Sequence, residues 1–224
     1  MPLYAGDTHG NFHNILNKMN RYQLSDCNIV HVGDFGAFDF NISKIKAFDA
    51  LLKLNNIKMF VVRGNHDDPS FFDGRTIGNI TFVADYTVLE LDGDRILCIG
   101  GAVSVDRVAR IEKDLDYHFD EKLNFNQNIL EDIRDVNVLV THTAPDICFP
   151  SPNYAFSDFI QSYAKNDPTL IDELIEERVN VRKIFEILNK NNKIEQHYYG
   201  HFHNSYVEEI DGCVHRLLNV DEIF

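Results

Sequence analysis

Short apolar runs that end in glycine, aspartate or histidine punctuate the chain: LYAGD (3–7), NIVHVGD (28–34), KMFVVRGNHD (58–67), NVLVTH (137–142) and EQHYYGH (195–201). Their length and continuity predict buried strands. Between the first three, apolar positions recur at helical spacing, Phe12/Ile15/Leu16/Met19 and then Ile45/Phe48/Leu52. The chain therefore predicts a β-α-β-α-β start and a parallel sheet. The polar residues that end the strands would then gather beyond the carboxyl edge of one sheet, where open α/β folds place their ligands.

The pattern changes from Ile80 to Gly101, where two β-rich runs surround Asp92-Gly93 and predict a hairpin; SYVEEIDGCVHRLLNV (205–220) repeats that signal near the C-terminus. Asp167-Pro168, followed by Leu170, Leu174, Val181, Phe185 and Leu188, predicts a long helix laid over one sheet face. The basic residues on that helix, Arg178, Arg182, Lys183 and Lys190, read as a solvated face.

Length and charge narrow the picture. The 224 residues suffice for one sizeable core, and no linker, repeat or low-complexity tract divides them, so a single domain over 1–224 is expected. Asp and Glu number 35 against 21 Lys and Arg, and the formal charge of −14 disfavours generic nucleic-acid binding. Cys27, Cys98, Cys148 and Cys213 lie far apart with no CxxC pair and read as reduced core residues. No apolar run has the length of a membrane span, and the polar cluster Gly6-Asp7-Thr8-His9 starts too early for a signal peptide. A cytoplasmic protein without membrane partners is the expectation.

The strand ends supply, in order, Asp7 and His9, Asp34, Asn65 and His66, His142, and finally His201 and His203. Each alone has a plain structural reading: Asp7 as a helix N-cap, Asp34 and Asn65 as turn residues, His142 as a core histidine. Five strands ending this way point to a shared task. Carboxylate oxygens, an amide oxygen and imidazoles suit divalent ions such as Mn²⁺, Fe²⁺ or Zn²⁺. A carboxylate can bridge two such ions, and a pair of ions clamps the attacking and leaving oxygens of phosphoryl transfer. Phosphoester hydrolysis is the chemistry this set predicts.

The series D-x-H, G-D, G-N-H-D, a later lone His and G-H-x-H, spanning residues 7 to 203, resembles the calcineurin-like metallophosphoesterases, in particular small bacterial and phage-type members. The resemblance implies an α/β fold, a β-sandwich flanked by helices in four αββα layers. It implies that Asp7, His9, Asp34 and His203 hold a first metal, and that Asp34 as bridge, Asn65, His142 and His201 hold a second. Manganese is the first choice, with Fe, Zn, Ni or Co as alternatives. It further implies in-line attack by a hydroxide bridging the metals, with His66 protonating or stabilising the leaving oxygen. Asp67 would orient nearby backbone or His66, or serve as a cap.

The chain also departs from the family. Protein phosphatases of the superfamily follow the second motif with Asp-Arg-Gly, whose arginine grips phosphate, whereas this chain reads GDFGAFDF (33–40). That weighs against phosphoprotein phosphatase activity. Arg63 is the candidate substitute for the arginine, with a surface charge as the alternative reading. In IGGAVSVDRVAR (99–110) the Gly-Gly pair permits close backbone approach, and Asp106, Arg107 or Arg110 either overhangs the cleft as a substrate contact or forms surface ion pairs. A phosphodiesterase on a small or nucleotide-like substrate leads the functional readings, ahead of a phosphomonoesterase, a nuclease and a catalytically silent scaffold.

Overall fold

The computed structural model describes residues 1–224, the side chain of Pro152 excepted. Residues 3–82 build one sheet and residues 87–217 another. The first comprises β1 (Leu3–Ala5), β2 (Asn28–His31), β3 (Lys58–Val61), β4 (Thr76–Ile77) and β5 (Ile80–Phe82), in the order β1-β2-β3-β5-β4. The second comprises β6 (Thr87–Leu91), β7 (Asp94–Ile99), β8 (Val138–Thr141), β9 (Gln196–Tyr199), β10 (Tyr206–Ile210) and β11 (Cys213–Leu217), in the order β10-β11-β9-β8-β7-β6. Central pairings are parallel in both sheets, while the antiparallel partners β4, β6 and β10 lie at edges. Parallel strands buried on both faces must be apolar throughout, which explains the continuous runs in the sequence.

The alternation of side chains assigns each face. Helices α1 (Phe12–Arg21) and α2 (Ile42–Leu54) bury Phe12, Ile15, Ile45 and Phe48 against Ile29, Met59 and Val61 of the first sheet. The next residues along, Val30 and Val62, turn to the opposite face and meet Ile96, Cys98, Val138 and Val140 of the second sheet. On the far side of that sheet Leu97 and Leu139 pack on α4 (Gln127–Asp132) and α6 (Leu170–Leu188) through Leu130, Val181, Ile184 and Leu188. Period-two alternation thus generates four layers, helices, sheet, sheet, helices, from two runs of strands. Two short helices complete the set, α3 (Arg107–Glu112) and α5 (Asp158–Ala164), both near the strand ends.

Two readings of the sequence need correction. The run from Ile80 to Gly101 is not one hairpin: Ile80–Phe82 joins the first sheet, and only β6 and β7 pair across Asp92-Gly93. Arg178 does not belong to a solvated face. It is buried, and its guanidinium donates to the carbonyls of Ala144 (3.4 Å), Pro145 (2.8 Å), Cys148 (2.7 Å), Pro150 (2.8 Å) and Ser151 (3.2 Å). Five convergent carbonyls replace the water an arginine would otherwise keep, and they fix the loop that follows His142. Arg182 does remain partly exposed, paired with Asp146 and Glu186, and Lys183 and Lys190 are exposed.

Glu177, the preceding residue on the same helix, is buried and accepts a 2.6 Å hydrogen bond from the Val103 amide. Burial pushes its carboxyl up to about 7. A carboxyl raised on folding leaves stability intact below its unfolded value near 4.5 and weakens the fold as pH rises through the folded value. Glu177→Gln, which keeps the acceptor and removes the buried charge, should therefore stabilise the protein on the order of 2–3 kcal/mol above pH 7. Urea titrations at pH 8 and pH 4 test this: the gain should shrink toward zero at pH 4, and an equal gain at both values would refute it.

Candidate metal centre and cleft

The polar strand ends do not share one sheet edge as expected. Asp7 and His9 follow β1, Asp34 follows β2, and Asn65 and His66 follow β3 in the first sheet; His142 follows β8, and His201 and His203 follow β9 in the second. They meet because the carboxyl ends of both sheets open on the same end of the sandwich. Ligand atoms of Asp7, His9, Asp34 and His203 lie within 4.8 Å of one another, and so do those of Asp34, His142 and His201. Asp34 is common to both groups.

The geometry within each group is specific. In the first, His9 Nε2 and His203 Nε2 face each other at 3.0 Å, His203 Nε2 lies 3.4 Å from Asp7 Oδ2, and His9 Nε2 lies 3.8 Å from Asp34 Oδ2. In the second, Asn65 Oδ1 is 3.0 Å from His142 Nε2 and 2.9 Å from His201 Nδ1, and His142 Nε2 is 3.2 Å from Asp34 Oδ1. His142 donates its Nδ1 proton to the Val32 carbonyl at 2.8 Å, which turns Nε2 toward the group. Asp7 does not cap α1; its Oδ2 accepts from the His201 amide at 3.0 Å, and its buried Oδ1 has no partner among the described residues.

These residues fit divalent ions on several counts. An unpartnered buried carboxylate oxygen costs energy that a cation would remove. The space at both carboxylates depends on glycine: a Cβ on Gly200 would stand 2.2 Å from Asp7 Oδ1, and one on Gly64 would stand 2.1 Å from Asp34 Oδ1. His9, Asp34, His201 and His203 all have left-handed φ, between 47° and 68°. Left-handed backbone costs non-glycine residues roughly 1–3 kcal/mol each and collects at functional sites.

Carboxylates and imidazoles shift one another strongly here. Burial alone would raise the Asp34 carboxyl, but His142, His66 and His9 outweigh it and hold the group well below the usual carboxylate range. Burial disfavours charge on His142, yet Asp34 and Asp7 push that imidazole up to about 10. Burial holds His201 well below the ordinary histidine value, while the hydrogen bond to Asp7 raises His203.

Around the ligands stands a shell the sequence reveals only in part. Asp67 accepts from the amides of Phe35 (3.2 Å), Gly36 (2.7 Å), Ala37 (2.8 Å) and Gly64 (2.9 Å), and so ties the Asp34 loop to the Asn65 loop. Of its two expected roles it fills the first, the orienting of backbone. Ser104 was not anticipated. Its hydroxyl accepts from Asn65 Nδ2 at 2.8 Å, which aims Asn65 Oδ1 at His142 and His201, and also from Arg110 at 2.8 Å. Arg110 is buried and in turn bonds Glu121 and the Asp116 carbonyl.

The expected substrate contacts Arg63 and Arg107 are committed elsewhere. Arg63 is buried, donating to the carbonyls of Glu121 at 2.6 Å and Lys122 at 3.2 Å and pairing with Asp85 at 2.9 Å. Arg107 grips Asp167 with both arms of its guanidinium, at 2.5 and 2.9 Å, and also bonds Thr169 and Glu173. Neither lines the cleft, and each guanidinium is turned to protein acceptors, as a buried cation requires. The Gly100-Gly101 pair likewise admits the backbone of Arg63 and Glu121, not a ligand.

Of the 99–110 segment, Asp106 alone among the three candidates reaches the cleft. That cleft, with about 310 Å³ of room, is lined by Asp34, Asn65, His66, His201 and His203 and by Val105, Asp106, Tyr154, Phe159, Tyr163 and Phe202. His66 follows Asn65, its amide donating to Asp34 Oδ1 at 2.7 Å while its ring lies at the cleft wall. Burial lowers the His66 imidazole, with Asp34 opposing.

The profile of the calcineurin-like phosphoesterases matches residues 3–205. The chain belongs to this family. This phosphoesterase shares its fold with the phosphopantetheinyl hydrolase of Mycobacterium tuberculosis, at 16% identity and a TM-score of 0.50 over 98% of this chain and 90% of that one. The protein TT1561 of Thermus thermophilus aligns at 11% identity and a TM-score of 0.56, again over 98% and 90% of the two chains. At such identities the likeness concerns the fold alone. No curated protein sequence matches the phosphoesterase. It is a metal-dependent phosphoester hydrolase by family, and among the described residues no helix is long and apolar enough to cross a membrane.

Proposed function

We propose that this phosphoesterase cleaves phosphodiesters of small, nucleotide-like molecules with two divalent ions, manganese first among them. Asp7, His9, Asp34 and His203 would hold one ion, and Asp34, Asn65, His142 and His201 the other. When bound, such ions lower the pKa of water and offset charge on the phosphoryl oxygens. The protein's own residues do the rest. Ser104 keeps the Asn65 amide in one orientation, Val32 keeps His142 in one tautomer, and Asp67 sets the spacing of two ligand loops. His66, free of the ligand groups and exposed to the cleft, would donate its ring N–H to the departing oxygen. Four free cysteines, three of them buried, fit a cytoplasmic setting.

The observation that carries the diester reading is the cleft's lack of cations. Among the described residues no lysine or arginine lines it, and Arg63, Arg107 and Arg110 are engaged by protein carbonyls, carboxylates and the Ser104 hydroxyl. A monoester dianion lacks the bidentate partner that its extra charge would use, whereas a diester carries a single charge. With metal-loaded protein, bis(4-nitrophenyl) phosphate should therefore be hydrolysed at least as efficiently as 4-nitrophenyl phosphate, compared as kcat/KM. A strong monoester preference with Mn²⁺, Fe²⁺, Zn²⁺, Ni²⁺ and Co²⁺ alike would reverse the assignment.

A further inference from the structure

We infer that the aromatic wall of the cleft is the subsite for a nucleobase borne by the substrate, with Asp106 as the contact that reads the base. The inference rests on the phosphodiesterase reading and names the arm of the diester that the cleft receives.

Four rings form the wall, in two edge-to-face pairs: Phe159 with Tyr163, centroids 5.3 Å apart, and Tyr154 with Phe202, also 5.3 Å apart. Phe159 and Tyr163 stand one turn apart on α5 and therefore share a face. Ile160 sits in a buried cluster with Val103, Leu170 and Leu174, and Tyr154 and Tyr163 pack against that cluster, so the wall rests on a fixed base. Phe159 is left 55% exposed at the cleft, although the apolar cluster lies beside it. Its ring packs edge to face on Tyr163 and leaves the rest of its surface open to the cleft, where a flat ligand can stack.

The polar chemistry narrows the ligand. Asp106 is the one charged residue of the cleft outside the candidate ligands and His66, and its carboxylate does not cap α3, the helix it precedes. A carboxylate there repels a second phosphate and accepts from an exocyclic amino group, such as adenine N6 or cytosine N4. Aromatic rings stack on any base. The cleft's room of about 310 Å³, part of it beside Asp34, Asn65, His201 and His203, exceeds what a compact ammonium head needs. The net charge of −14 opposes a long strand, so the substrate is a nucleoside diester and not a polynucleotide.

The test uses full-length, Mn²⁺-loaded protein and two probes: adenosine 5′-(methyl phosphate) and the same ester of ribose without a base. The base should raise kcat/KM by about 10-fold or more, mainly through KM, in keeping with the usual effect of one stacked base. Phe159→Ala and Tyr163→Ala should each bring that ratio toward one, and Asp106→Asn should erase the preference for adenosine over uridine diesters. Calorimetric titration with adenosine alone reads the subsite without turnover. If diesters are cleaved but the base confers nothing and adenosine fails to bind, the subsite is wrong and the phosphodiesterase reading stands. If adenosine binds in a Phe159-dependent way and no diester is cleaved, the subsite stands and that reading falls. Faster cleavage of glycerophosphocholine than of the adenosine diester would overturn the nucleobase in favour of a cationic head.

Discussion

Asparagine in place of Asp34 is expected to lower phosphoester hydrolysis by about 10³-fold or more and to leave fewer than two metal ions per chain. Asp34 alone belongs to both ligand groups, its Oδ1 beside His142 and its Oδ2 beside His9. An amide has one oxygen and no charge, so it cannot serve two cations at once. Losing several kcal/mol of charge stabilisation at such a centre corresponds to about three decades in rate. Asparagine still accepts the His66 amide proton through its oxygen, so the loop that now bonds Asp34 Oδ1 keeps its support. Thermal melting separates a metal defect from a folding defect, and counting metal by elemental analysis gives the stoichiometry. His201→Ala and His203→Ala serve as companions, the first emptying mainly the Asn65–His142 group and the second the Asp7–His9 group. An Asp34→Asn protein with two ions and normal turnover would sink the bridging assignment.

The gathering of these strand-end residues at one place was legible because metal chemistry restricts residue types. Few side chains bind divalent ions, and five strands are each followed by one or more of them. Which sheet each strand joins was not legible. A buried parallel strand presents the same apolar run in either layer, and only the second partner face, Ile96 and Val138 for Val30 and Val62, distinguishes the layers. The shared edge expected from an open sheet is in fact the common end of two sheets.

Arginine roles were the least legible. The acceptors of Arg63 lie 58 and 59 residues along the chain at Glu121 and Lys122, and those of Arg107 lie 60 residues along at Asp167. Sequence proximity to a metal motif says nothing about partners so distant, and a guanidinium near a site is claimed by whichever acceptors the fold delivers. Ser104 escaped notice for a related reason: its hydroxyl matters only because the fold sets it 2.8 Å from an amide 39 residues earlier. The aromatic residues from Tyr154 to Tyr163 carry no motif, and core and cleft alternate among them, with Ile160 buried and its neighbour Phe159 exposed.

His66→Ala is expected to retain both metals and to lose activity in proportion to the basicity of the leaving group. The residue next to it, Asn65, already supplies the oxygen this turn directs to His142 and His201, and the His66 ring lies at the cleft wall instead. Its ring stands 5.4 Å from that of His9, edge to face. Proton donation to a departing oxygen contributes typically about 10² to 10⁴ in rate, and most when that oxygen is a strongly basic alkoxide. A nitrophenolate departs without such help. Ribose and alkyl esters should therefore slow by about 10²-fold or more in His66→Ala, while nitrophenyl esters lose far less, with both proteins compared at equal metal occupancy. His66→Gln, which restores an N–H donor without acid–base chemistry, should recover part of the loss on alkyl esters if hydrogen bonding to the leaving oxygen is what counts. Equal losses on the two ester classes would remove His66 from the leaving-group side of the reaction, and loss of an ion would make it a ligand.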